Sequence, residues 1–228
     1  MNQYVFERHE QKYRVSETER KALADLFDAH LVQDQHGVST VRSIYYDTPD
    51  YRLIRTSIEK PLYKEKLRLR SYDNGGQTAF LELKKKYHGV VYKRRAEVSE
   101  ADMNLFLSGQ ASLPESQIFH EIEYFCSYYG TLRPSVLISY DRQAYTDSGG
   151  TDLRVTLDSN IRWQTKHVTL RETSSGTLLL APGEAVLEIK ASHAMPLWLA
   201  EWLSRQGIRQ SSFSKYGYLY QTVLCSHH

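Results

Sequence analysis

The stretch Lys66-Leu67-Arg68-Leu69-Arg70-Ser71-Tyr72 decides the fold. Basic residues occupy every second position, with leucines between them. Successive side chains of a strand point to opposite faces, so this run reads as a strand with one cationic and one apolar face. The same period returns along the chain. Glu82, Lys84 and Lys86 alternate with Leu83 and Lys85, and Lys93, Arg95 and Glu97 alternate with Arg94 and Ala96. Glu188 and Lys190 alternate with Leu187, Ile189 and Ala191, and Phe6 to Val15 sets Arg8, Glu10, Lys12 and Arg14 on one face.

Strand-like runs are expected at about 3–14, 40–47, 62–73, 78–87, 90–98, 135–145, 152–158, 161–171, 177–181 and 185–191. Turn residues separate several of them: Asp73-Asn74-Gly75-Gly76, His88-Gly89, Ser148-Gly149-Gly150 and Pro182-Gly183. Ser16 with Glu19 makes a capping box ahead of Leu23, Leu26 and Phe27, and Ser99 with Asp102 repeats that start signal. Pro114 and Pro196 suit the first turns of two more helices, Gly207 suits a stop, and a final aromatic-rich helix is expected at about 213–225. No repeat, linker or low-complexity tract divides the 228 residues, so one α+β domain over residues 1–228 is the economical expectation.

The net charge of +2 hides an asymmetry. The charged faces collect Arg8, Lys12, Lys66, Arg68, Arg70, Lys84, Lys86, Lys93, Arg95, Arg142, Arg154 and Lys190, against Glu10, Glu82, Glu97, Asp158 and Glu188. Twelve cations against five carboxylates leave +7 on these faces and −5 on the rest of the chain. Such placement focuses a field on an anionic ligand. A one-sided charged sheet can simply be solvated, and that alternative stands beside a second. A closed antiparallel barrel with a charged interior and helices packed outside would explain the Arg and Lys bias and remove the sheet edges. Its interior would need water, counter-ions or a polyanion with a divalent metal to offset the repulsion.

The basic positions suit phosphate oxygens, Arg as a bidentate donor and Lys as a point charge. Lys215, at the start of the final helix, opposes the local dipole unless it reaches a phosphate. Glu188 lies in an otherwise apolar strand and needs a partner, either a metal ion or a buried Arg. Glu10 offers the same choice between metal ligation and an ion-pair ladder. Asp141 has the parity opposite to Arg142 and is expected to pair structurally. Cys126 and Cys225 have no metal-binding spacing and are expected as buried thiols in helices. No apolar run approaches a membrane span, no signal-peptide core follows Met1, and a cytoplasmic location is the default. A Gly-rich phosphate loop, a zinc-type Cys/His spacing and a nucleophile elbow are all absent from the sequence.

Taken together, FERHEQKY, SIYYDTPD, KLRLRSY, FLELKKK, VYKRRAEV, SYDRQAY, RVTLDSNIRW, VLEIKA and FSKYGY resemble the vacuolar transporter chaperone (VTC) domain, the polyphosphate polymerase branch of the triphosphate tunnel metalloenzymes. The resemblance runs from about residue 4 to residue 222. It implies a triphosphate tunnel with Mn²⁺ or Mg²⁺ and transfer of the ATP γ-phosphoryl onto polyphosphate. It also implies catalytic tunnel bases at Lys12, Arg68, Arg70, Lys84, Lys93, Arg142 and Lys215, further phosphate contacts at Arg8, Lys66, Lys86, Arg95, Arg154 and Lys190, and metal ligands at Glu188 and Glu10. Hydrolytic relatives carry Glu-x-Glu-x-Lys where this chain has Arg8-His9-Glu10-Gln11-Lys12, a difference that favours the polymerase branch. The alternatives are a metal-dependent tripolyphosphatase or nucleoside triphosphatase of the same fold, and a non-catalytic polyphosphate-binding module. Expected partners are ATP or triphosphate and inorganic polyphosphate, not nucleic acid. With no regulatory domain or membrane segment in this chain, any membrane protein that draws the product away is a separate partner.

Overall fold

A computed structural model describes residues 9–72, 78–147, 149, 151–171, 176–192 and 194–227. Arg8, the turns at 73–76, 148 and 150, and the start of the first expected strand lie outside the described residues. The elements in chain order are β1 (His9–Val15), α1 (Glu17–His30), β2 (Leu31–Asp47), α2 (Arg52–Ile58), β3 (Tyr63–Ser71), β4 (Ala79–Tyr87), β5 (Val90–Glu97), α3 (Glu100–Leu107), α4 (Gln117–Tyr129), β6 (Arg133–Asp147), β7 (Arg154–Gln164), β8 (Thr177–Leu178), β9 (Ala185–Ala191), α5 (Leu197–Arg205) and α6 (Lys215–Thr222). A 3₁₀ turn follows at Leu224–His227.

The architecture is α+β. Its antiparallel sheet has the hydrogen-bonded order β1-β9-β7-β6-β2-β3-β4-β5, with β8 on β7. By its internal contacts the chain forms two compact units. The first takes in residues up to Ser39 with Tyr140–Ile161 and Leu178–Phe213, and the second Thr40–Ser139, Arg162–Thr177 and Ser214 onward.

In the second unit the alternation of the sequence becomes register. Leu67 faces Leu83, Leu69 faces Leu81, and Arg68 faces Glu82 across β3 and β4. The leucine face packs on Met103 of α3 and on Phe119, Ile122 and Phe125 of α4. Leu67, Leu69, Leu81 and Leu83 are fully buried, each contributing roughly 1.5–3 kcal/mol by burial. A one-residue slip would carry all four to the charged face, so the core itself fixes the register. In the first unit Val15, Val155, Leu187 and Ile189 turn inward against Leu23 and Phe27 of α1 and Leu199 and Leu203 of α5.

The caps form largely as the sequence dictates. Ser16 Oγ accepts from Glu19 N at 3.3 Å, and Glu19 Oε2 accepts from Ser16 N at 2.6 Å, closing the capping box of α1. Ser99 caps α3 and Pro196 sits at the start of α5. Four expectations need correction. Ser116, not Pro114, starts α4, because its hydroxyl accepts from Phe119 N. The runs 152–158 and 161–171 are one strand, β7, with Asn160 at φ 48° absorbing the irregularity and the residues after Gln164 outside it. Strand β2 is 17 residues long rather than eight. Cys225 is exposed, in the 3₁₀ turn, whereas Cys126 is partly buried in α4 and burial pushes its thiol up to about 12; neither is bonded to the other.

Helix α2 has no apolar period of its own. Asp47, fully buried at the end of β2, builds it from outside. Its Oδ1 accepts from Leu53 N at 2.9 Å and its Oδ2 from Ile54 N at 3.1 Å, capping the helix, while Tyr216 Oη of α6 donates to Oδ2 at 2.9 Å. Burial raises the Asp47 carboxyl pKa, and these donors partly offset it. Thr48 N also donates to Asp47 Oδ1, at 2.9 Å, so Asp47→Ala is expected to strand three backbone amides, the Tyr216 phenol keeping Ser135 Oγ as a partner, and to destabilise the protein by about 3–4 kcal/mol, whereas Tyr216→Phe should cost about 1 kcal/mol. Urea unfolding of both variants checks the ratio; equal effects would mean that Asp47 does not bear the helix cap.

Candidate phosphate-binding site

In the second unit, Lys64, Lys66, Arg68, Arg70, Lys84, Lys86, Lys93 and Arg95 share the face opposite the leucines, with Glu82 and Glu97. Glu82 is the hub of this face. Its side chain is 1% exposed. Its Oε2 accepts from Arg68 Nε at 2.7 Å, and Lys93 Nζ lies 2.6 Å and Arg95 Nε 3.9 Å from Oε1. Burial alone would raise the Glu82 carboxyl pKa, but Arg68, Arg70 and Lys93 bring it down to about 2. It is ionised at any pH near neutrality and holds its cations in place.

The rows beside Glu82 have no carboxylate opposite their cations. Lys66 faces Lys84, which faces Lys93, and Lys64 faces Lys86. Like charges directly opposite each other destabilise a sheet, a cost that an anion lying between these rows would reduce. Around them, Arg70 Nε donates to Ser43 Oγ at 3.0 Å, Lys66 Nζ to Ser214 Oγ at 3.0 Å, and Arg68 Nη1 to Tyr45 Oη at 3.4 Å. Arg95 lies 3.7 Å from the Phe80 ring centre. Burial raises the Tyr45 phenol's pKa, yet the charges of Arg68, Arg70 and Lys66 outweigh it and leave the group at about 8. Lys215 occupies the first position of α6, next to Ser214, whose hydroxyl caps that helix.

The first unit carries a second cluster. Register places Glu10 opposite Lys190, itself opposite Arg154, and Lys12 opposite Glu188, itself opposite Thr156. Lys12 Nζ lies 2.9 Å from Glu10 Oε1 and 3.5 Å from Glu188 Oε2. Lys190 pairs closely with Glu188 and lies 4.0 Å from Glu10 Oε2. Burial would raise the Glu188 carboxyl, but Lys12, Lys190 and Arg142 hold it well below the usual carboxylate range. Arg142 is committed to the fully buried Asp158, with Nε to Oδ1 at 2.7 Å and Nη2 to Oδ2 at 2.8 Å. Asp141 accepts from Asn160 Nδ2 on the other face.

Each described basic strand position expected from the sequence thus lies on a charged face of one of the two units, while Lys215 lies at the start of α6. The unforeseen contributors are Glu82 as hub, Tyr45, Ser43 and Ser214. The mid-strand position of Glu82 between Leu81 and Leu83 was the available signal for the first; no local pattern marks the other three. Among the described residues, no three His, Cys, Asp or Glu side chains converge on one point. Glu10 and Glu188 nonetheless fit a hard divalent cation of the kind that takes one or two carboxylates and completes its shell with water and substrate phosphates.

The solved structures similar to this chain show the fold. A candidate adenylate cyclase from Bacillus halodurans aligns with TM-score 0.60 at 15% identity, covering 94% of this chain and 96% of that one. A candidate adenylyl cyclase from Hippeastrum, described as having a dominant triphosphatase activity, aligns with TM-score 0.57 at 16% identity over the same shares. No curated protein matches at a comparable level. The model of the VTC domain matches residues 7–224. That span takes in every strand that carries the two clusters, and the chain belongs to the VTC domain family.

Proposed function

We propose that this protein is a metal-dependent phosphotransferase of the polyphosphate polymerase type, moving the ATP γ-phosphoryl onto a polyphosphate chain. The proposal includes the closed, charge-lined barrel expected from the sequence and assigns both clusters to the one reaction. The observation that carries it is the surplus of cations on the β3–β4–β5 face, where eight lysines and arginines share the strands with Glu82 and Glu97 and two rows of lysines have like charge opposite in register. Such a face suits a ligand with a negative charge on every repeat.

The terminal oxygen of polyphosphate forms a bond to the γ-phosphorus as the bond from that phosphorus to the β,γ-bridging oxygen breaks, and ADP leaves with the electron pair. The acceptor is already ionised at neutral pH, so no strong base is needed. Catalysis then rests on positioning and charge stabilisation. Arg68, Arg70, Lys84, Lys93 and Lys66 align the phosphates, with Lys86, Arg95, Arg154 and Lys215 extending their grip. Glu82 fixes the Arg68 and Lys93 head groups before substrate arrives. Lys12 and Lys190 exchange carboxylate for phosphate oxygens, freeing Glu10 and Glu188. Arg142, anchored by Asp158, adds a fixed positive charge beside Glu188. A divalent cation, Mn²⁺ or Mg²⁺, held by Glu188 and Glu10 supplies Lewis-acid neutralisation of the phosphate oxygens. Hydrolysis is the second reading, favoured by the triphosphatase activity of the Hippeastrum neighbour. Incubation with ATP and Mn²⁺ separates the readings: long-chain polyphosphate supports the polymerase, free phosphate alone the triphosphatase, and unchanged ATP with tight polyphosphate binding a non-catalytic module.

Glu188→Gln is expected to lower turnover at least about 10²-fold, since the lost charge stabilisation is worth several kcal/mol, without weakening metal-free tripolyphosphate binding. Steady-state rates across a Mn²⁺ titration check this; near wild-type turnover at saturating metal would overturn the assignment.

Arg68→Ala and Arg70→Ala should each weaken tripolyphosphate binding about tenfold, a charge-assisted contact being worth roughly 1.5–3 kcal/mol. Lys85→Ala should not, because Lys85 lies on the helix face with Glu65 and Glu121. Calorimetric titration showing equal losses in all three would contradict the two-faced reading.

Tyr45 gives the site a pH dependence. Its folded pKa of about 8 lies below the usual phenol value, so its phenolate accumulates above pH 8 among the cations that hold phosphate. A bound polyanion favours the neutral phenol, so affinity for tripolyphosphate should fall as pH rises through about 8. Tyr45→Phe should remove that decline. Titrations of both proteins from neutral to alkaline pH test it, and parallel curves would sink the assignment.

A further inference from the structure

The hairpin joining β4 to β5 reads Lys84-Lys85-Lys86-Tyr87-His88-Gly89-Val90-Val91-Tyr92-Lys93-Arg94-Arg95: an apolar and aromatic tip between two runs of three cations, without an acid. His88 at φ 45° and Gly89 at φ 87° form a two-residue turn, the tight reversal that makes a convex tip. Every residue from Tyr87 to Lys93 is exposed. Leu62, whose carbonyl accepts from His88 N at 3.0 Å, is 66% exposed, and Tyr63, whose ring meets that of Tyr87 edge-on, is 45% exposed. Val90, Val91 and Tyr92 are each about half exposed on β5, an end strand of the hydrogen-bonded order. Strands so placed usually carry charge or proline to block association.

Lys60, Lys64 and Lys86 have no carboxylate within ion-pair distance among the described residues, whereas Lys85 and Arg94 are held by Glu121 on the helix face. Lys64 Nζ donates to the Ser57 carbonyl at 3.0 Å. Tyrosine and valine at a convex tip, ringed by lysines that lack acidic partners, match the headgroup region of a bilayer. There aromatic rings sit at the interface and lysines reach lipid phosphate. A protein groove would instead have to fit a convex tip with unbalanced charge. No helix among the described residues is long and apolar enough to cross a membrane, so attachment here would be peripheral.

We propose that the β4–β5 hairpin tip, with Leu62 and Tyr63, docks on an anionic lipid surface. Tyr63, Tyr87, Val90, Val91 and Tyr92 sit at headgroup level, and Lys60, Lys64 and Lys86 face the lipid phosphates.

The full chain is sedimented with phosphatidylcholine vesicles with and without phosphatidylserine. Binding should require phosphatidylserine, and Leu62→Asp with Val90→Asp should lower partitioning at least about tenfold while leaving ATP turnover and the melting curve unchanged. If that pair unfolds the chain, Leu62→Asn with Val90→Asn serves instead. Two outcomes overturn the proposal: no sedimentation of the wild type with anionic vesicles, or equal partitioning of the variant. A dimer by light scattering that the variant dissociates, without vesicle binding, would also overturn it and make the tip a contact between copies.

Discussion

The fold and its chemistry depend on the cost of crowding cations on one side of a sheet. Lysines and arginines on neighbouring strands repel one another, and a sheet that carried them alone would be weakened wherever two met in register. Glu82 meets that cost in one place. Its carboxylate, withdrawn from water, is tied to Arg68 and Lys93, with Arg95 nearby. A buried carboxylate without those partners would be expensive, and the cations without it would splay. The arrangement is stable only as a set, and beside it the register sets lysine opposite lysine.

The first unit solves the same problem with different chemistry. Glu188 is withdrawn from solvent like Glu82, but its partners are Lys12 and Lys190, and a second carboxylate, Glu10, shares both of them. Lysine heads are compact, mobile point charges, whereas the Arg68 guanidinium is a planar fork locked on its carboxylate. One cluster is thus built to hold still and the other to exchange partners. That difference in rigidity, more than the number of charges, argues for placing a divalent cation at Glu10 and Glu188 rather than at Glu82.

Core and site are two sides of the same strands, so neither can change register alone. The leucines that bury against α3 and α4 place Arg68, Glu82 and Arg95 in one row, and a slip would expose the core as it buried the charges. Where the β4–β5 hairpin runs past its covering helix, the rule lapses. Tyr87, Val90 and Tyr92 keep apolar side chains with no core to enter.

The sequence by itself determined the two-faced strands, the caps at Ser16 and Ser99 and which basic residues share a face, because a period of two and a capping box are local and need no distant partner. It also carried the family resemblance, which rests on the order of those same segments. Tertiary structure decided what each charge does. Glu82 became a hub because β3 and β5 bring Arg68 and Lys93 to it from either side, and Glu188 and Glu10 came to share their lysines through the pairing of β1 with β9. Helix α2 escaped notice for the same reason: its cap comes from Asp47, held in place by Tyr216, 169 residues away. Tyr45 titrates near 8 through cations contributed by β3. Alternation tells which face a residue takes, but Coulomb and hydrogen-bond energies fall off within a few ångströms, so partners depend on which strands become neighbours.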